Sequence, residues 1–122
     1  MVYDADYWPE LRVLAAVLHG GTKAVSSREA MERVRRTSPY FDGWVSDSED
    51  IFTEAREALA LRDLDRLGHA MRLSYLRMFA TMFAADPPVM YWRPQTLAVI
   101  RMCEELRGEG LPVYETMDAG PQ

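Results

Sequence analysis

The longest periodic pattern in the chain runs from Asp63 to about Ala85, and it dictates most of what can be built around it. Leu64, Leu67, Met71, Tyr75, Met78 and Met82 recur three or four residues apart, the spacing that lines up one face of a helix. In the later half Leu73, Leu76, Phe79 and Phe83 add a second stripe. A helix with two apolar stripes must be covered on two sides, so the segment predicts a central helix with other elements packed about it. Asp63 stands where an N-cap carboxylate accepts a backbone N–H. Asp86-Pro87-Pro88 ends the pattern, because proline has no N–H and restricts the residue before it. Four of the eight methionines lie between Met71 and Met90. Thioether side chains at helical spacing are core filler more often than a binding surface.

Shorter elements flank this helix. Leu11–Leu18 is an apolar run closed by His19-Gly20-Gly21, and its length and glycine stop predict a buried strand. Ser26-Ser27-Arg28-Glu29 has the form of a capping box, opening a helix near 27–36 that stops at Thr37-Ser38-Pro39. Ser46-Asp47-Ser48-Glu49 reads as the start of a second helix near 49–61, followed by the central helix near 64–84. After Val89-Met90-Tyr91-Trp92-Arg93-Pro94 the spacing of Leu97, Ile100, Cys103 and Leu106 predicts a helix near 96–107, with Gly108 and Gly110 at its exit. Val113–Met117 reads as a strand leading directly into Asp118-Ala119-Gly120-Pro121-Gln122. The order strand, helices, strand predicts an α+β domain spanning 1–122, with helices packed on one face of a small, mainly antiparallel sheet. Leu11–Leu18 and Val113–Met117 are then expected to be neighbours in that sheet. Two strands make a poor sheet, so the domain is expected to be truncated after Gln122.

Composition narrows the function classes. A net charge of −5 argues against nucleic-acid binding, and the arginines are scattered over presumed helix faces. One cysteine excludes an internal disulfide and leaves no CxxC metal knuckle. His19 and His69 lie far apart without a ligand-spaced companion, so no metal site is expected. No signal-like segment precedes Tyr3 and no apolar run approaches the roughly 20 residues that span a bilayer, so the expected setting is cytoplasmic and not a membrane. Gly20-Gly21 lacks the lysine and spacing of a phosphate loop. That leaves Asp118. An aspartate before Ala-Gly-Pro is commonly a turn former, its carboxylate accepting a backbone N–H. Held at a strand end beside a glycine, it can equally serve as a general base. The residues by themselves do not choose.

A resemblance does. Val113 to Gln122 resembles the diphosphomevalonate decarboxylase signature, an aromatic-rich strand followed by Asp-Ala-Gly-Pro-Asn/Gln. Tyr7-Trp8-Pro9-Glu10-Leu11-Arg12-Val13, the run Lys23-Ala24-Val25-Ser26-Ser27 with Met31 and Thr37-Ser38-Pro39, and Ala80 to Pro88 with Tyr91-Trp92 resemble further blocks of that family in the same order. The matches span nearly the whole chain. The family lies in the GHMP kinase superfamily, so the resemblance implies its C-terminal domain. It also implies an ATP-dependent conversion of mevalonate diphosphate to isopentenyl diphosphate in the mevalonate pathway. Asp118 falls on the catalytic aspartate and Ala119 on a substrate-contacting neighbour. Mevalonate diphosphate, ATP and Mg²⁺ are implied ligands, bound mainly by an N-terminal domain that is missing from these 122 residues; dimerisation is common in the family. The chain alone is expected to be inactive.

Three positions depart from the pattern. Arg28 replaces a threonine associated with the substrate diphosphate, and either supplies a cation to it or is a solvated residue of the first helical turn. Ala30 replaces a glycine, and Phe79 a histidine. The alternatives are a phosphomevalonate decarboxylase or a mevalonate-type kinase of the same superfamily and, in another class, a non-catalytic α+β interaction module.

Overall fold

The computed structural model describes residues 3–18 and 25–119. His19, Gly20-Gly21, Lys23, Ala24 and Gly120-Pro121-Gln122 lie outside the described residues, and with them the glycine stop of the first run and the turn after Asp118. Four helices follow in order: α1 (Ser27–Thr37), α2 (Phe41–Ala60), α3 (Leu64–Phe83) and α4 (Pro94–Gly108). Each begins or ends for a reason that can be named. The Ser26 hydroxyl accepts from the Glu29 amide at 3.2 Å and opens α1. The Asp63 carboxylate accepts from the Arg66 amide at 3.1 Å and opens α3. Pro94 occupies the first turn of α4, where its missing N–H costs nothing.

α2 starts eight residues before the predicted boundary. Ser46-Asp47-Ser48-Glu49 is helix interior, and the Ser48 hydroxyl donates to the Trp44 carbonyl one turn back at 2.7 Å. Phe41, packed against the core, and Trp44, tilted against it at 5.9 Å, anchor the extra turns. α2 and α3 form an antiparallel hairpin of two helices about 30 Å long. In the connection Arg62 adopts a left-handed φ of 53°, while Arg62 N and Asp63 N donate to Leu59 O and Ala58 O. That pattern satisfies the last carbonyls of α2 without the glycine that usually permits it. Arg66 bridges back to Glu54 at 2.8 and 2.9 Å and to Glu57 at 3.3 Å, and Arg77 pairs with Asp47.

The core lies along α3, as its two stripes require. Tyr75, Phe79 and Met82 are fully or nearly fully buried with Ala30 and Val34 of α1, Ile100 of α4, and Ala85, Val89 and Tyr91 of the crossing segment. Trp92 packs beside Tyr75, Phe79 and Phe83, with ring centroids 6.5, 5.3 and 5.1 Å away. The crossing is tied down at both ends. The Asp86 amide donates to the Thr37 hydroxyl at 2.8 Å, and the Tyr91 hydroxyl donates to the Val25 carbonyl at 2.5 Å.

The expected α+β architecture is overturned. The described residues contain helices and no strand or sheet. Leu11–Leu18 and Val113–Met117 are both extended, but neither forms a hydrogen-bonded ladder with the other or with any described segment. A strand is defined by its partner as much as by its own pattern, and a short apolar run records a demand for burial, not the presence of a neighbour. Most of the run is not buried either: residues 12–17 are exposed, with Val13 and Leu14 at 90% and Val17 at 87%. Residues 111–119 instead satisfy their pattern against the helices.

Candidate active-site segment

Asp118 sits on that second extended segment, and the helices fix how it is presented. Leu111 N donates to Leu106 O at 3.0 Å, and Gly110 takes a φ of 94°, which turns the chain off α4. Tyr114 then lies across α3 at Gly68; a Cβ there would sit only 2.1 Å from the ring. The Tyr114 hydroxyl donates to the Asp65 carboxylate at 2.7 Å. From Glu115 onward the side chains alternate with period two. Glu115 is buried and Met117 and Ala119 pack against the core, while Thr116 and Asp118 are exposed on the opposite face. The exposed side at Thr116 borders a cleft of about 400 Å³ between α2 and α3, lined by Ile51, Phe52 and Met71 with Ser48 and Ser74.

Sequence reading passed over the most heavily bonded group of the segment. The Glu115 side chain is 6% exposed. It accepts from the Tyr75 hydroxyl at 2.6 Å, Arg72 Nε at 2.7 Å and Arg107 Nη1 at 2.8 Å. Arg72 reaches on to Glu104 at 2.8 Å, and Arg107 also donates to the Val113 carbonyl at 3.0 Å. Burial pushes the Glu115 carboxyl up, but the hydrogen bonds from Tyr75, Arg107 and Arg72 outweigh it and hold it below its ordinary value of 4.5. The stability it contributes is therefore present above pH 4.5 and is lost as pH falls through the lowered value. Burial and the bond to Glu115 push the Tyr75 phenol well above its ordinary range. Removing one member of such a group costs about 3–5 kcal/mol, because a buried charge loses its partner. The signal that could have found it is parity: a glutamate at the inward position between Val113 and Met117.

The structure places the other predicted site residues as follows. Ala119 packs against the core beside Met117. Arg28 is exposed in the first turn of α1. Val25, just before that turn, packs on the same core cluster as Met117 and Ala119, so the start of α1 and the end of the Asp118 segment share a base. Cys103 is half-buried, with its thiol pushed up by burial. Among the described residues no three His, Cys, Asp or Glu side chains form a group that could hold a metal ion, and no helix is long and apolar enough to cross a membrane. Asp118 and Arg28 present an exposed carboxylate and an exposed guanidinium.

The family model for the mevalonate 5-diphosphate decarboxylase C-terminal domain matches residues 13–122, and the chain belongs to that family. The diphosphomevalonate decarboxylase of Schizosaccharomyces pombe is 27% identical over 98% of this chain and 31% of its own length. The mevalonate pyrophosphate decarboxylase of Streptococcus pyogenes is 36% identical with a TM-score of 0.81, over 86% of this chain and 33% of that one. The mevalonate diphosphate decarboxylase of Enterococcus faecalis, in which mevalonate diphosphate mediates ATP binding, is 38% identical with a TM-score of 0.75, over 79% and 30%. The chain thus spans about a third of the length of these relatives.

Proposed function

We propose that the 122 residues act as one domain of a cytoplasmic, ATP-dependent decarboxylase that converts mevalonate diphosphate to isopentenyl diphosphate, ADP, phosphate and carbon dioxide. The observation that carries this reading is the presentation of Asp118 outward from a segment whose alternate residues are buried, within a chain that matches the family over 13–122. In this reading Asp118 accepts the proton of the tertiary hydroxyl as its oxygen bonds to phosphorus, and Ala119 contacts the substrate beside it. Arg28 is offered as a cation for the diphosphate. ATP and Mg²⁺ are held by residues supplied from the rest of the enzyme; a relative has been solved in complex with MVAPP, AMPPCP and magnesium.

The test is a chimera in which this chain replaces the matching third of a full-length relative. The chain alone should bind MgATP with a dissociation constant above about a millimolar, roughly −4 kcal/mol. The chimera should release carbon dioxide from mevalonate diphosphate only when ATP is present. A folded chimera that acts only on the monophosphate, or phosphorylates without releasing carbon dioxide, assigns it to the other branches of the superfamily. Within the chimera Arg28→Ala should raise the Michaelis constant for the diphosphate substrate, leave that for ATP unchanged, and alter stability by no more than about 0.5 kcal/mol. An unchanged substrate constant would make Arg28 a solvated surface residue.

A further inference from the structure

Apolar patterning fixes which face of an extended segment turns inward only as firmly as its apolar side chains allow, and residues 115–119 offer two, Met117 and Ala119. A slip of one position would bury Thr116 and Asp118 and expose Glu115 and Met117. Loss of Met117 packing and burial of the Asp118 carboxylate both oppose such a slip, and Asp118 can reach a substrate only in the observed register. Glu115 adds the most specific opposition. Its carboxylate is held by donors from two helices, Tyr75 and Arg72 on α3 and Arg107 on α4. Moved outward, it would leave two guanidiniums without their shared anion. Arg107 strengthens the hold, because the same group bonds the Val113 carbonyl and lies 5.1 Å from the Tyr114 ring, gripping inward and sideways positions together.

We propose that Glu115 is a positioning residue: its anchorage to Tyr75, Arg72 and Arg107 locks the register of residues 113–119 so that Asp118 faces outward at a fixed depth. A buried ionic group adds little net stability compared with apolar side chains of the same volume, and its best-attested use is to select one register over another. The inference rests on the reading of Asp118 as the proton acceptor.

Nuclear magnetic resonance on the 122-residue chain reads the lock directly. Two variants are compared with the parent: Glu115→Gln, and an apolar replacement combining Glu115→Leu, Arg72→Leu and Arg107→Leu. In both, amide order parameters over residues 116–119 should fall from about 0.85 to below about 0.6, while the amides of α1 to α3 keep their positions. In the chimera Glu115→Gln should lower kcat at least about tenfold with the Michaelis constant for ATP unchanged. If Glu115→Gln does not fold, the apolar replacement carries the test. Residues 116–119 remaining ordered in the folded apolar replacement would overturn the proposal. So would an unchanged kcat in Glu115→Gln when Asp118→Asn is crippled, an outcome that leaves the catalytic reading standing. An Asp118→Asn chimera with full turnover would remove the catalytic reading, and the order parameters would still decide the lock.

Discussion

Asp118→Asn, made in a chimera that supplies the phosphate-binding domain, is expected to lower turnover at least about a hundredfold, roughly 2.7 kcal/mol of barrier. The tertiary hydroxyl is too weak an acid to ionise unaided near neutral pH, so its proton must leave as the phosphorus–oxygen bond forms. Asparagine keeps the shape of the side chain and its capacity to accept a turn hydrogen bond, but it cannot take that proton. Asp118 is exposed and its neighbours Met117 and Ala119 carry the packing, so the substitution should leave folding intact. Michaelis constants should change modestly, which separates a lost proton acceptor from lost substrate binding. Turnover above a tenth of the parent, with chemistry rate-limiting, would make Asp118 a turn residue.

A single methyl group at Gly68 should cost roughly 3 kcal/mol of stability. Gly68→Ala places a Cβ 2.1 Å from Tyr114 Cγ and 2.3 and 2.5 Å from its two Cδ atoms. The ring cannot swing aside freely, because its hydroxyl bonds Asp65 and Arg107 lies against it. Alanine gains about 1 kcal/mol of helix propensity at an interior glycine. The displaced ring and segment should outweigh that and leave a net loss of about 3 kcal/mol, at the upper end for overpacking. In a chain of 122 residues this lowers the melting temperature by roughly 10 °C. A double-mutant cycle checks the cause: with Tyr114→Ala already present, Gly68→Ala should become neutral or slightly stabilising. A variant that melts at or above the parent temperature on its own would refute the contact.

The helices were legible because their signals are local. Asp63 and Ser26 announce two N-termini and the twin stripes of α3 state in advance that it is central, whereas α4 begins at Pro94, before its expected start near 96. α2 was misjudged at its start because Ser46-Asp47-Ser48-Glu49 has the composition of a cap, whereas Phe41 and Trp44 draw the helix back by packing. Pairing was not legible at all. The pattern at Val113–Met117 predicted a strand, yet a pattern says nothing of whether another backbone lies alongside. The site was half visible for the same reason. Asp118 stands in a motif of consecutive residues, but the group around Glu115 draws Arg72, Tyr75 and Arg107 from positions separated by up to 43 residues.

The exposed run at 11–18 has a consequence for the chain in dilute and crowded solution. Its backbone N–H and C=O groups enter no ladder with described residues, and Val13, Leu14 and Val17 face water, with Arg12 the only charge in the run. Such a segment is a template to which an identical segment can add. Growth of that kind depends on encounters between molecules, so its rate climbs with at least the square of concentration. The chain's own concentration then governs how long it stays dispersed.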